Sequence, residues 1–236
     1  PWRETWRIIG FARAERSVFL SVLGISWFWF FGSAVTFQIP AYTLFILNGS
    51  EEVTTVLLAA FAVGVGAGSL LCEKMSARRI ELGLVPFGSI GLSIFAIDLY
   101  FAQPDAHLVA VQSAGDFLAR AGSWRLLADL ALLGAFGGFY SVPLYAMVQQ
   151  RAERRHLSRI IAANNIINAL FMVAAAVLGI VVLSAGFTVP QLFLILALLN
   201  AVVAIYIFGL LPEFLIRFLT WILINSLYRI RTSGLA

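Results

Sequence analysis

Six long apolar segments constrain this chain more than any other feature of its sequence. They run approximately over residues 18–44, 53–71, 82–101, 126–148, 160–183 and 190–211. A transmembrane helix needs about 20 consecutive, mostly apolar residues, so each segment is long enough to cross a bilayer. Hydrophobic residues make up 61% of the chain and charged residues only 12%, which excludes an ordinary soluble domain. The sequence therefore predicts an all-α membrane protein with six transmembrane helices.

The basic residues are distributed unevenly around these segments. If the N-terminus is cytoplasmic, only Arg120 and Arg125 of the 16 Lys and Arg residues fall on the outer side. Cytoplasmic loops of membrane proteins carry an excess of Lys and Arg, so the pattern predicts that both termini are cytoplasmic. The same count predicts two cytoplasmic basic loops, which contain Lys74, Arg78, Arg79, Arg151, Arg154, Arg155 and Arg159.

The two ends of the chain differ from the apolar bundle of residues 18–211. Residues 1–17 interleave tryptophans with arginines, which fits either an interfacial linker or an ordinary connecting loop. Residues 212–236 begin with Glu213, Arg217 and Thr220 on one helical face. This favours an interfacial helix that leads to a cytoplasmic domain over a seventh span. Because the chain begins with Pro1, we expect that it is part of a longer protein.

Polar side chains occur inside the apolar segments, where an unpaired amide in hydrocarbon costs several kcal/mol. Asn164 and Asn168 are four residues apart and therefore share a helical face. Two interpretations remain open, namely hydrogen bonding between helices and the lining of a polar cavity. We expect a polar inner face in this protein, and its candidate members are Gln38, Tyr140, Tyr145, Gln149, Asn164, Asn165 and Asn168.

The first and fourth segments resemble each other. The first contains FGSAVTFQIPAY and the fourth FGGFYSVPLY, so each is a glycine-interrupted aromatic stretch that ends in Pro-x-Tyr. Copies three helices apart run in opposite directions through a membrane, as in transporters built from inverted repeats. Chance similarity between aromatic-rich helices is the alternative. In the second segment, Gly64, Gly66 and Gly68 predict a small-residue face that allows a neighbouring helix to approach closely.

The sequence lacks the signatures of several classes of intramembrane enzyme. His107 and His156 lie in loops, where neither can serve as the base of a serine–histidine dyad. Cys72 is the only cysteine, and the residues that could bind a metal are not clustered. No phosphate-binding P-loop is present. The net charge of +4 follows the membrane topology and does not indicate nucleic-acid binding. We expect a segment that moves a substrate without converting it and that uses no cofactor.

Two carboxylates, Asp98 and Asp129, lie near the outer ends of the third and fourth segments. A carboxylate inside a membrane suggests proton coupling. The alternative is that both side chains reach water at the outer leaflet, and the sequence favours this alternative.

Three stretches resemble the transporter region of bacterial lysophospholipid transporters of the major facilitator superfamily. They are SARRIELGLVPFGSIGL (76–92), GGFYSVPLYAMVQQRAERRHLSRIIAANNIINALFMV (137–173) and LPEFLIRFLTWILINSLYRIR (211–231). The resemblance is closest to those transporters that are fused to 2-acylglycerophosphoethanolamine acyltransferase and acyl-ACP synthetase domains. It implies that this chain is the C-terminal half of a twelve-helix transporter, with an N-terminal six-helix half as its partner.

This resemblance also implies a role for each segment. The first and fourth would line the central path, the second and fifth would face the other half, and the third and sixth would pack outside. Gln38, Tyr140, Tyr145 and the asparagine face would then lie towards the substrate path. The superfamily's loop signature after the second helix is present only in a degenerate form, as Gly68, Glu73, Lys74, Arg78 and Arg79. This departure weakens any inference about gating by that loop.

The expected function is therefore inward flipping of lysophospholipids, chiefly lysophosphatidylethanolamine, across the bacterial inner membrane for reacylation. The expected partners are the lysophospholipid substrate, membrane lipids, the N-terminal half and a C-terminal acyltransferase domain. Two alternatives stay open: a multidrug or metabolite exporter of the same fold, and a membrane anchor for a fused acyltransferase.

Overall fold

The computed structural model describes residues 16–76, 82–103, 111–152 and 156–210, and the isolated positions 216, 219, 220 and 223. Side chains in the last helix are described as far as residue 205. No strand occurs within these ranges. The helices are α1 (Arg16–Phe45), α2 (Glu51–Met75), α3 (Leu84–Phe101), α4 (Ala114–Ala119), α5 (Ala121–Arg151), α6 (Leu157–Ser184) and α7 (Val189–Leu210).

Five of these helices, namely α1, α2, α3, α5 and α6, are long and apolar enough to cross a membrane. This finding confirms the prediction of an all-α membrane protein. The sixth predicted span coincides with α7, whose described apolar stretch is the shorter Val189–Ile205, so the count of six stays a prediction. The predicted linker (1–17) and interfacial helix (212–236) lie outside the described residues, except for Arg16 and Ser17 in α1 and the four isolated positions.

Both prolines that the sequence placed inside spans lie within continuous helices. Pro40 is inside α1 and Pro143 is inside α5, so neither proline ends its helix. A proline removes one backbone hydrogen bond, but packing against neighbouring helices allows a transmembrane helix to continue past it.

Helix packing follows a reciprocal pattern. α2 packs along α5, and α1 packs along α6; α3 lies against both α5 and α7, and α1 also contacts α5 and α7. When the units α1–α3 and α5–α7 are exchanged, the α1–α6 contact maps onto the α5–α2 contact. The α3–α5 contact likewise maps onto the α7–α1 contact. The two three-helix units therefore share part of their contact pattern, although the contacts differ in extent.

Glycines bring α2 and α5 into backbone contact. A methyl group added to Gly64 would overlap the backbone of Ala131, and one added to Gly68 would overlap the backbone of Ala135. These contacts confirm the predicted close approach. Gly66 is not part of this face, because a methyl group there would have no neighbour within 4 Å.

The two ends of the bundle differ in charge. α1 begins where α5 ends, because Arg151 Nη1 donates to Ser17 Oγ over 3.4 Å. We call this the basic end. Its described basic residues are Arg16, Lys74, Arg151 and Arg159, whereas Arg78, Arg79, Arg154 and Arg155 lie outside the described residues.

At the opposite end, which we call the loop end, Ser113 caps the short helix α4. The Ser113 hydroxyl and backbone N–H donate to the Asp116 carboxylate and hold its pKa below the ordinary value. Gln112 also pairs with the α1–α2 turn, through a hydrogen bond from its side-chain amide to the carbonyl oxygen of Leu47. Residues of the loop end therefore contact the α1–α2 turn and pack against α2 and α5.

Candidate functional site

Three helices contribute polar side chains to one connected cluster, which we call the polar junction. Its members are Ser26 and Trp29 from α1, Tyr145 from α5, and Asn164 and Asn168 from α6. The indole Nε1 of Trp29 donates to the hydroxyl oxygen of Tyr145 over 2.8 Å. This hydrogen bond joins α1 to α5 at the middle of α1, about 20 Å along the helix from Arg16 at 1.5 Å per residue.

Asn168 connects α1 to α6. One orientation of its amide satisfies both ends: Nδ2 donates to Ser26 Oγ over 2.8 Å, and Oδ1 accepts from Trp29 Nε1 over 3.2 Å and from Asn164 Nδ2 over 3.0 Å. Networks of this kind fix the amide orientation of an asparagine. The Ser26 hydroxyl is then free to donate to the carbonyl oxygen of Val22 over 2.9 Å, so each group in this part of the network has a partner.

Asn164 has one polar atom that the junction leaves unused. Its side chain is only 3% exposed, and its Oδ1 accepts no hydrogen bond from the described residues. A buried acceptor without a donor costs about 1–3 kcal/mol. The atom is enclosed in this structure, so a donor on a ligand would reach it only after the surrounding side chains move.

The junction reaches the surface of this chain through its aromatic members. Trp29 is 39% exposed, and Tyr145 is partly exposed, whereas Ser26, Asn164 and Asn168 are buried. A molecule beside α1 and α5 would therefore meet the indole and the phenol first. The buried amides lie behind these two rings, so the arrangement suits an amphipathic ligand with a polar group and an apolar chain.

The structure brings three of the predicted path residues together, namely Tyr145, Asn164 and Asn168. Asn165 is exposed on a different face of α6 from its two neighbours, because successive helical residues point about 100° apart. Gln149 is exposed near the end of α5. Neither contributes to the junction.

The remaining two predicted path residues lie elsewhere. Tyr140 is only 2% exposed, its hydroxyl has no partner among the described residues, and it lies close to Gly24 of α1. The amide of Gln38 packs against α6, where a methyl group added to Gly179 would come within 2.8 Å of Gln38 Nε2. Whether these residues line the path stays a prediction.

Sequence reasoning missed a second polar network, which joins α1, α3 and α7 through Asn200. Trp27 Nε1 donates to Asn200 Oδ1 over 2.9 Å, and Asn200 Nδ2 donates to Ser93 Oγ and to the carbonyl oxygen of Ser89, each over 2.9 Å. Asn200 is fully buried and both ends of its amide are paired, as expected of a structural contact between helices. An asparagine within an apolar segment was the available signal.

Charged groups within the helices also differ from expectation. The expectation that Asp98 and Asp129 both reach water is wrong for Asp129, whose side chain is 3% exposed and covered by neighbouring helices. Asp98 is about one third exposed and forms an ion pair with Arg125. Within the part of the chain that the structure describes, no group of three His, Cys, Asp or Glu side chains is arranged to hold a metal ion.

Comparison with known proteins finds two related sequences, and both are described as lysophospholipid transporters. The chain is 29% identical over 136 residues to the lysophospholipid transporter LplT of Cronobacter sakazakii (strain ATCC BAA-894), a match that covers 57% of this chain and 29% of the relative. It is 28% identical over 165 residues to LplT of Pectobacterium carotovorum subsp. carotovorum (strain PC1), with 65% and 35% covered. The matched region spans about a third of the length of these relatives. No family model and no solved structure matches the chain.

Proposed function

We propose that this chain forms the C-terminal six-helix half of a lysophospholipid transporter of the major facilitator superfamily. The observation that carries the proposal is the sequence similarity to two lysophospholipid transporters, in a chain that folds into membrane-length helices. The contacts that α1–α3 and α5–α7 share under exchange support a 3+3 inverted repeat, which is common in transporters.

The faces of α2 and α6 fit a partner half. Only 22% of the apolar stretch of α2 and 28% of that of α6 are buried within this chain, against 61% for α1 and α5. Large apolar side chains on these faces are open, among them Val63 and Leu70 on α2 and Leu170 and Ile180 on α6. We assign these faces to the N-terminal six-helix half, with membrane lipid covering the rest.

The substrate in this proposal is a lysophospholipid, chiefly lysophosphatidylethanolamine. Its ammonium group would donate to the unpaired Oδ1 of Asn164, and its phosphate oxygens would accept from the Tyr145 hydroxyl, which uses only its oxygen towards Trp29. Its acyl chain would lie against aromatic surface that includes Phe28 and Trp29. Gln38, Tyr140, Gln149 and Asn165 are assigned to other positions along the path.

The charge distribution supports the orientation of the bundle in this proposal. The basic end would face the cytoplasm, with residues 1–17 and 212–236 at the inner surface of the bacterial inner membrane. Inner-leaflet anionic headgroups attract basic residues by about 1 kcal/mol each, which suits Lys74, Arg151 and Arg159 at this end. The transporter would flip lysolipid inwards, and a cytoplasmic acyltransferase domain following residue 236 would reacylate it. The transporter segment itself would catalyse no reaction.

The experiment is uptake of labelled lysophosphatidylethanolamine by cells that lack their own lysolipid importer. These cells express the full-length protein, with any fused acyltransferase inactivated. Accumulation of unmodified lysolipid at the cytoplasmic side supports the proposal. If a folded, well-expressed protein moves no lysolipid, the result favours a membrane anchor or a different substrate. If unrelated lipophilic cations compete fully with the lysolipid, it is a multidrug exporter.

A further inference from the structure

A cavity of about 360 Å³ lies at the loop end of the bundle. It is bordered by the last turn of α3, the α1–α2 turn, the segment that contains α4, and the first turns of α5. Sites for small molecules have volumes of about 300–1,000 Å³. The cavity is therefore large enough for the headgroup of a lipid.

Hydrogen bonds hold the wall of this cavity in place. The backbone N–H of Gln112 donates to the carbonyl oxygen of Asn48, and the backbone N–H of Ser50 donates to the carbonyl oxygen of Gln112, each over 2.9 Å. The indole Nε1 of Trp124 donates to the carbonyl oxygen of Leu118 over 3.1 Å, which connects the start of α5 to α4. The cavity is therefore preformed by the fold of the loop end.

The charge of the cavity lining is positive. Among the described residues that border it, Arg120 and Arg125 carry the charge and no carboxylate is present. The Arg125 guanidinium has five N–H donors, and two of them bind Asp98, which leaves three for a ligand. The Arg120 side chain is exposed and forms no ion pair within the part of the chain that the structure describes. Because the planar guanidinium matches the geometry of phosphate, this lining suits a phosphate group.

The cavity also has apolar borders that indicate its depth in the membrane. Phe101 and Leu126 contribute to its lining, and Phe101 is 62% exposed. Trp124, next to Arg125 on α5, is 59% exposed. Exposed tryptophans are typical of the membrane–water interface. A ligand at this level would have a phosphate near the arginines and an apolar part near the hydrocarbon, as a lipid does.

We propose that the loop-end cavity binds the phosphate of a lysophospholipid from the outer leaflet before the lipid moves to the polar junction. This entry site rests on the proposed transport function and on the predicted topology. Under that topology, Arg120 and Arg125 are the two Lys or Arg residues on the outer side, and both border this one cavity. Their guanidinium groups would donate to the phosphate oxygens, and the start of the acyl chain would lie against Phe101.

Protection of an introduced thiol tests the site in the purified full-length protein, in a detergent without phosphate. Gln103→Cys places the thiol at an exposed position in the cavity lining. Ser184→Cys places it at an exposed position at the end of α6, outside the described lining. Cys72 is buried, and cysteines outside this chain are replaced. The probes are lysophosphatidylethanolamine, a monoacylglycerol with the same acyl chain, and inorganic phosphate.

We expect lysophosphatidylethanolamine to slow modification of Gln103→Cys several-fold and to leave modification of Ser184→Cys unchanged. The monoacylglycerol should not protect, because it lacks the phosphate. Combined with Gln103→Cys, Arg120→Gln should raise the lysolipid concentration needed for protection about ten-fold, as for loss of a hydrogen bond to a charged group. Arg16→Gln removes the same charge at the basic end and should leave that concentration unchanged.

Protection of Gln103→Cys by the monoacylglycerol to the same extent, or no protection by lysophosphatidylethanolamine, would overturn the proposal. Protection by inorganic phosphate alone would indicate a site for the free anion and would also overturn the assignment to lipid. The assay does not require movement of lipid. Lysolipid that protects but is not transported therefore supports the entry site and contradicts the transport function, and lysolipid that is transported without protecting does the reverse.

Discussion

The indole Nε1 of Trp29 lies 2.8 Å from the hydroxyl oxygen of Tyr145, and this hydrogen bond joins the two helices that carry the Pro-x-Tyr stretches. Trp29 also lies within 3.2 Å of the amide oxygen of Asn168 on α6. One indole N–H thus connects three helices. Movement of α1 relative to α5 or α6 would have to break or exchange these contacts, which makes the pair a sensitive probe of any transport cycle.

Tyr145→Phe removes the acceptor of the Trp29 indole while it preserves the aromatic ring. We expect lysophosphatidylethanolamine uptake to fall about five-fold. The variant loses the hydrogen bond that the Tyr145 hydroxyl would donate to the substrate phosphate, and such a bond contributes about 1 kcal/mol. We expect little loss of stability, since Asn168 still accepts from the indole. Uptake rate and melting temperature in detergent are the two measurements. Tyr100→Phe, at the loop end of α3, is the matched control, and equal uptake losses in both variants would contradict a role for the junction.

Sequence reasoning identified the helices more completely than it identified the site. Apolar length was enough to predict the helices because the bilayer sets it. Asn164 and Asn165 are adjacent in the same apolar segment. Only the packing of the helices decides which of them faces α1 and which is exposed. Ser26 and Trp29 were missed because the stretch SWFWFF has the composition of a lipid-facing surface. The orientation of an indole N–H depends on distant residues.

Asn168→Leu removes the amide that links Ser26, Trp29 and Asn164. We expect the free energy of unfolding to fall by about 1–2 kcal/mol, in the range of interhelical hydrogen bonds in membranes, and uptake to be lost. Asn165→Leu is the matched control on the same helix, and it should leave the melting temperature unchanged because Asn165 is exposed. A larger drop in melting temperature for Asn165→Leu would contradict the described network.

Gly64→Ala places a methyl group against the backbone of Ala131. The two helices must separate, so we expect a loss of about 1–3 kcal/mol in stability, as for an overpacked core, and lower yield of folded protein. Gly66→Ala provides the control, since the added methyl group has no neighbour within 4 Å. Thermal denaturation of both variants in detergent checks the prediction, and a similar loss for both would show that α2 and α5 do not pack as described.

Asn200→Leu tests whether every polar network in the bundle serves transport. The change leaves the Trp27 N–H and the Ser89 carbonyl oxygen without their partner. We expect a lower melting temperature, by the equivalent of about 1–2 kcal/mol. Uptake per folded molecule should stay near the wild-type value, because both ends of the Asn200 amide are paired within the helix bundle. Loss of uptake at normal folded yield would place Asn200 in the transport machinery instead.

Lysophospholipid transport by the purified full-length protein is the decisive measurement for the proposed function. Labelled lysophosphatidylethanolamine is supplied to one leaflet of proteoliposomes, and its appearance in the other leaflet is followed over time. We expect movement well above that in protein-free vesicles, with a reduced rate for Tyr145→Phe. Movement no faster than in protein-free vesicles, from protein shown to be folded by its melting curve, would rule out lysophospholipid transport by this protein.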